Sequence, residues 1–303
     1  MIPAVAPHLT HARLLLALLA QPLALSLWVY LTMVRMPGAS YAGPFEPLTP
    51  SERALEAALR RDVAMLAGHT PAADHLDAAL VEAGYVVSRR RFDLEAERPG
   101  SDPGIVLVGA RYPSAPGADD DVSGVAALLA VARAFADKHP RRTVRFVAFA
   151  NEPSPPSQTP SVRSREPRED IVAMLGLETL GHYTDRPNSQ RYPFPLGLLY
   201  PSAGDFVAFI GDHGSADLVR RTVDSFRRSA RFPSEGLAAP TALPGVGSAD
   251  HRAFWQEGYP AVVVTDTAPL RDPRSPGLTY APLARVVSGL IRVIEDLAAA
   301  PAR

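Results

Sequence analysis

Residues 105–150, IVLVGARYPSAPGADDDVSGVAALLAVARAFADKHPRRTVRFVAFA, decide the fold class. The segment opens with one continuous apolar run, 105–110, and closes with a second, 143–150, as expected of strands that are buried on both faces of a sheet. Between them, residues 124–136 are strongly apolar over the length of a helix. This order predicts two central strands joined by a crossover helix, the unit from which parallel sheets are built.

The same alternation continues on both sides of this segment. We therefore predict an α/β fold with a mostly parallel central sheet covered by helices on both faces, and no second domain within it. The further strands are predicted at residues 85–92, 171–177, 206–211 and 261–265, and the further helices at 51–67, 71–83, 215–228 and 281–298.

Composition excludes several classes of function. The 303 residues include 31 Lys and Arg against 32 Asp and Glu, so the chain has no basic excess to neutralise phosphates, and we expect no nucleic-acid partner. It has no cysteine, which excludes disulfides, thiolate zinc ligands and cysteine nucleophiles. The sequence also lacks a Gly-x-Ser-x-Gly nucleophile elbow and any nucleotide-binding glycine pattern.

The N-terminal segment, residues 1–35, predicts a single transmembrane anchor. Residues 14–34 are almost entirely apolar, and 21 residues at ~1.5 Å each can cross a hydrocarbon layer of ~30 Å. Arg13 and Arg35 flank the run. A cleaved signal peptide is the main alternative, although its apolar region is usually only about 7–15 residues long, and a buried core helix is a further one. An uncleaved anchor favours a bacterial inner-membrane location with the following domain on the periplasmic side.

A Pro-rich linker and one large domain are predicted after the anchor. Residues 36–50, MPGASYAGPFEPLTP, contain four prolines and no periodic pattern, which indicates a linker. Ser51 is expected to cap the first helix, with Glu52 in its first turn. The rest of the chain, residues 51–303, is predicted to form the α/β domain.

Acidic residues follow three of the predicted central strands. Asp120, in the middle of a run of three aspartates, lies beyond the first, Glu152 beyond the second and Glu178 beyond the third. Reactive groups of open α/β sheets gather beyond the carboxyl ends of the strands. Capping of the following helix would explain the aspartates alone. Converging carboxylates repel one another unless a cation or proton lies among them, so the three together predict an ancestral cation site.

Four segments, in the same order along the chain, carry a family resemblance. Over roughly residues 51–300 the chain resembles metallopeptidase family 28, the co-catalytic di-zinc aminopeptidases that include bacterial leucyl aminopeptidase. The resemblance implies an aminopeptidase-like fold, peptide substrates and zinc as the cofactor. The segments are PGADDDVSGVAALLAVARAF, TVRFVAFANE, LGLETLG and SADHRAFWQEGYPAVVVTD.

The resemblance assigns roles to the three acidic residues. It implies that Asp120 matches the carboxylate bridging the two zinc ions, that Glu178 matches a further zinc ligand, and that Glu152 matches the general base. It also places Asp250 and His251, from the Ser-Ala-Asp-His segment, at the edge of the pocket. An alternative site built from Asp120, Glu178, His182 and His251 is imaginable.

Three of the five zinc ligands that the resemblance implies are missing. Arg111 stands where the family has a histidine, Pro153 stands where it has a glutamate, and no histidine occurs near Arg274, where the last ligand is expected. The two remaining carboxylates fall short of the roughly three protein ligands that catalytic zinc takes. We expect Arg111 to offset the missing metal charge by pairing with Asp120 or Glu178.

These observations predict a catalytically impaired pseudo-peptidase that binds a peptide or protein ligand in the old cleft and reaches the membrane through its N-terminal helix. The alternative is an active metal-dependent aminopeptidase with an altered metal site and Glu152 as the general base. A third reading is an unstable product of a decaying gene.

Overall fold

The computed structural model describes the chain in segments, and for residues 119–121 it describes the backbone alone. The described residues are 20–21, 24–68, 71–90, 93–113, 119–150, 169–194, 196–242, 251–272 and 277–299.

One sheet organises the domain. Its eight strands, counted over the described residues, are β1 Ser88–Arg90, β2 Asp93–Arg98, β3 Asp102–Tyr112, β4 Arg142–Ala150, β5 Ile171–Leu177, β6 Val207–Gly211, β7 Ser234–Ala238 and β8 Ala261–Thr265. Their order across the sheet is β1-β2-β4-β3-β5-β8-β6-β7. The four middle strands, β4-β3-β5-β8, run parallel, as does the β6–β7 pair. The pairings β1–β2, β2–β4 and β6–β8 are antiparallel, so the sheet is mixed with a parallel centre.

Helices cover both faces of the sheet. They are α1 Pro50–Leu66, α2 Ala72–Glu82, α3 Asp119–Phe135, α4 Ala216–Ser229, α5 His251–Gln256 and α6 Tyr280–Ala299. All of these except the short α5 pack into the larger core cluster, on the face of β3 that carries Val106 and Val108. On the other face, Leu107 joins a smaller cluster with Phe254 of α5. This alternation along β3 is the period of two that a strand buried on both faces requires.

Several predicted elements agree with the structure and several need correction. The predicted strands at 171–177 and 261–265 match β5 and β8. Helix α1 is capped by Thr49 rather than Ser51: the Thr49 side chain accepts from the Glu52 backbone N–H while Glu52 reaches back to Thr49, which is a capping box.

Two strands were missed and one was overextended. The sequence of β2, DLEAER, is too charged to stand out as a strand, and that of β7, SEGLA, is short and rich in small residues. The strand predicted at 85–92 is reduced to Ser88–Arg90 within the described residues. Tyr85 lies in the core instead, where its hydroxyl donates to the Ala132 carbonyl at 2.8 Å.

The N-terminal segment is described from residue 24 as a helix whose last turn, Tyr30–Val34, is of the π type. No helix in the described part of the chain combines the length and apolarity needed to span a membrane.

Candidate functional site

Glu178 and Arg111 are neighbours in backbone register at the carboxyl edge of the parallel strands. Ala110 of β3 is paired with Leu177 of β5, and Arg111 and Glu178 are the residues that follow them. The strand register therefore places the backbones of these two residues side by side at this edge.

A close approach of α3 fixes the backbone at Glu178. A Cβ at Gly124 would lie only 2.5 Å from the carbonyl oxygens of both Leu177 and Glu178, a separation that side-chain carbons do not adopt. The preceding residue, the fully buried Ser123, accepts a 2.9 Å hydrogen bond from the Leu180 N–H through its Oγ. Ser123 thus ties α3 to the loop after β5, and its buried, bonded hydroxyl is unsuited to act as a nucleophile.

Glu178 has an imidazole as its ionic neighbour. Nδ1 of His251 lies 3.4 Å from Oε1 of Glu178. His251 opens α5, is 3% exposed and packs edge-on against Trp255 with ring centroids 4.4 Å apart. Oε1 of Glu178 is buried and accepts no hydrogen bond from the residues that the structure describes. The carboxylate is therefore held at this edge by packing and by the imidazole beside it.

A second buried carboxylate, Asp266, follows β8 and binds the loop after β5. Its Oδ1 accepts from Thr179 Oγ1 and its Oδ2 from the His182 backbone N–H, both at 2.8 Å. Nη1 of Arg271 lies 3.2 Å from Oδ2, and Nδ1 of His182 lies 3.4 Å from the same oxygen. Because the Asp266 side chain is fully buried, this network joins the ends of β5 and β8 rigidly.

Tyr183 places a neutral, buried phenol near Asp266 and Arg271 of this network. Burial raises its pKa well above the ordinary value, and the nearby Asp266 carboxylate raises it further. Its ring packs edge-on against Phe232 with centroids 4.9 Å apart. Its buried hydroxyl has no hydrogen-bond partner among the described residues.

The donors described at this edge do not make up a zinc centre. Glu178 and His251 supply one carboxylate and one imidazole, whereas catalytic zinc takes about three protein ligands. Over the described segments, no group of three His, Asp or Glu side chains is arranged to hold a metal ion. The candidate residues Glu152, Pro153, Asp250 and Arg274 and the Asp120 side chain lie outside the described residues.

The two histidines of the alternative site that the sequence suggested have different carboxylate neighbours. His182 lies beside Asp266, and His251 lies beside Glu178. The sequence pointed to the end of β8 as a place for functional groups but did not single out Asp266 or Arg271. The signal was present: TDTAPLRD places one aspartate directly after a buried strand and an arginine five residues later.

The mixed sheet with a parallel centre and helices on both faces is an α/β fold like that of the zinc aminopeptidases. The model of peptidase family M28 matches residues 94–276, more than half of the chain. The chain therefore belongs to peptidase family M28, as its sequence motifs predicted.

Known proteins similar to this chain include one curated relative and several solved structures. YfbL of Escherichia coli K12, an uncharacterized protein, is 32% identical over 227 residues, covering 67% of this chain and 70% of its own. The glutaminyl cyclase of Macrostomum lignano is 15% identical with a TM-score of 0.59, covering 88% of this chain and 99% of its own. The zinc aminopeptidase BSAP of Bacillus subtilis is 16% identical with a TM-score of 0.53, covering 70% of this chain and 51% of its own. At these identities the two structures support the fold alone.

Proposed function

We propose that this chain is a membrane-anchored M28-type domain that has lost most of its peptidase activity and binds a peptide or protein ligand in the cleft beyond β3, β5 and β8. The observation that carries the proposal is the Glu178–His251 pair next to Arg111. Where the family resemblance implies a histidine zinc ligand on β3, this chain has Arg111, which neighbours Glu178 in the backbone register of β3 and β5. A fixed cation there opposes binding of a second, metallic one.

The cleft remains suited to binding. The Asp266 network fixes the loop after β5, so the groups at this edge of the sheet are pre-organised. Arg111 and the partly exposed carboxylate of Glu178 at this edge suit the termini and amide groups of a peptide. The ligand is therefore proposed to be a peptide or a segment of a partner protein.

The anchor belongs to the same proposal. Apolar side chains of the helix at residues 24–34, including Leu25, Leu27 and Trp28, are exposed to solvent. Together with the apolar residues that precede them in the sequence, they suit a bilayer better than water. We infer an uncleaved inner-membrane anchor with the domain on the periplasmic side.

The competing proposal is an active metal-dependent aminopeptidase with an altered site, using Glu152 as the general base and Asp120 and Glu178 as ligands. The buried, unbonded Oε1 of Glu178 is the observation that favours it, because an orphaned carboxylate oxygen is what a metal ion would satisfy.

Turnover separates the two proposals. The full-length chain, purified in detergent, is assayed on a panel of aminoacyl arylamides with and without added zinc, beside a Glu152→Gln variant. We expect both proteins to hydrolyse the panel at the same background rate. Zinc-dependent, chelator-sensitive turnover that disappears in Glu152→Gln would establish the active enzyme. A cooperative thermal melt of both proteins confirms that they are folded and argues against an unstable gene product.

A further inference from the structure

The end of the N-terminal helix is fixed to the edge strand β7. Arg227 on α4 donates through Nη1 to the carbonyl oxygens of Pro37 and Gly38, at 3.1 and 3.0 Å. The Ser234 N–H donates to Ser40 Oγ at 2.9 Å. The Met36 side chain fills the space over Gly236, where an added Cβ would lie 2.6 Å from its Cγ. The chain that leaves the apolar helix therefore lies directly along β7.

The loop of residues 192–200 is attached to the same strand. Tyr200 donates from its hydroxyl to the Gly236 carbonyl oxygen at 2.9 Å. Tyr192 donates to the Pro201 carbonyl oxygen at 3.0 Å, and the two tyrosine rings lie 5.9 Å apart. These bonds close the loop at its base. Gly236 is thus contacted both by Met36, just beyond the end of the helix, and by the loop.

The two sides of this loop differ in chemistry. Tyr192, Leu196 and Tyr200 face inward and line a cavity of about 40 Å³ against the sheet. Phe194 and Leu198 face outward and are 89% and 78% exposed, and Leu199 is also exposed. Single exposed apolar residues are common. Three within six residues of one loop form an apolar patch of the kind that marks an interaction surface.

We propose that the outward face of loop 192–200 is a second membrane contact, with Phe194, Leu198 and Leu199 inserted into the interface of the phospholipid bilayer that holds the N-terminal helix. The proposal rests on the proposed anchor. The apolar run extends for about ten residues before residue 24. Its helix ends at Val34, two residues before Met36, which packs on Gly236, so the bilayer that takes the run lies at the β7 edge. Aromatic and aliphatic side chains at such a boundary bind the headgroup region.

Single-site labelling tests this contact, because the chain contains no cysteine of its own. Full-length Phe194→Cys and Leu198→Cys variants are labelled with the fluorophore NBD and reconstituted into phosphatidylcholine–phosphatidylglycerol vesicles. Val86→Cys is the matched control, since Val86 is 90% exposed and precedes β1 at the opposite edge of the sheet. Leu27→Cys reports on the anchor. We expect the labels at 194 and 198 to be blue-shifted, quenched by doxyl lipids and protected from iodide, and the label at 86 to show the reverse.

The remaining outcomes count against the proposal in distinguishable ways. If the labels at 194 and 198 are as accessible to iodide as the label at 86 while the label at 27 is quenched by lipid, the second contact is wrong and the anchor stands. If the label at 27 is also accessible to iodide, the anchor fails and this inference fails with it. A blue shift that persists in detergent without lipid and grows with protein concentration would mean that a second copy of the chain covers the loop.

Discussion

Nδ1 of His251 lies 3.4 Å from Oε1 of Glu178, so a helix on one face of the sheet brings an imidazole to the carboxylate at the end of β5. The family resemblance makes this carboxylate a zinc ligand, and the strand register places Arg111 next to it. The two proposals assign this pair different roles. In the first it is what remains of a lost metal site, and in the second Glu178 still binds a metal ion in an altered site.

A neutral replacement of this carboxylate distinguishes the two. In a vacated site, Glu178→Gln removes a partly buried charge whose Oε1 has no hydrogen bond from the described residues, so the free energy of unfolding should stay within about 1 kcal/mol of wild type or rise. Thermal melts in the presence and absence of zinc check this. If zinc raises the melting temperature of the wild type but not that of Glu178→Gln, Glu178 still binds metal.

Asp266 is expected to matter more for stability than any residue of the old metal site. Asp266→Ala removes the acceptor for Thr179 and His182 and the carboxylate beside the largely buried Arg271, and it should lower the free energy of unfolding by about 3–5 kcal/mol. Asp266→Asn keeps one of the two acceptor oxygens and should cost less than Asp266→Ala. Asp217→Ala, at an exposed position of α4, is the control and should melt like wild type. Equal melting temperatures for Asp266→Ala and Asp217→Ala would contradict the proposed network.

The close approach of α3 to β5 gives a third prediction. Gly124→Ala places a methyl group 2.5 Å from two carbonyl oxygens and should lower the free energy of unfolding by about 1–3 kcal/mol, because the helix must shift. Gly277→Ala is the matched control, since a Cβ at Gly277 meets no atom within 4 Å. Chemical denaturation of both variants measures the difference. A Gly124→Ala variant as stable as Gly277→Ala would show that α3 does not limit the position of Glu178.

Glu235 on β7 gives a prediction on pH. Burial raises the pKa of its carboxyl, with Arg227 opposing the shift. A raised folded-state pKa means that ionised Glu235 destabilises the fold: the cost is absent below the unfolded pKa of about 4.3 and complete above the folded pKa. Glu235→Gln should therefore melt higher than wild type at pH 8, and the difference should vanish toward pH 4. Glu82→Gln, at an exposed position of α2, controls for the loss of a charge. A difference that instead grows toward pH 4 would contradict this sign.

The sequence predicted the strands whose residues are continuously apolar. Continuous apolar runs such as those of β5 and β8 are typical of a strand buried on both faces. Strand β2 escaped notice because its ladder to β4 alternates charged and apolar residues, among them Glu97 opposite Arg145. The capping of α1 by Thr49 was missed because Ser51 and Thr49 are both good caps, and only the hydrogen bonds choose between them.

The sequence could place a site residue only where that residue adjoins a recognisable central strand. Arg111 and Glu178 were placed at one edge because each directly follows a predicted central strand, and the register of β3 on β5 makes their backbones neighbours. The structure extends β3 to Tyr112, so that Arg111 lies within its last two residues. The pairing of His251 with Glu178 joins residues far apart in the sequence, and nothing local to either residue encodes it. The expected ion pair of Arg111 with Glu178 or Asp120 stays a prediction.

Zinc stoichiometry tests the central claim most directly. The full-length chain is dialysed against zinc-containing buffer and then against metal-free buffer, and bound zinc is measured by elemental analysis, beside a double variant, Arg111→His with Pro153→Glu, that restores two ligands implied by the family. A chain that has lost its metal site should retain far less than one zinc per molecule, and the double variant should retain more. The account would be contradicted if the unaltered chain retained one or two zinc ions and showed a peptidase activity that is lost when a chelator removes them.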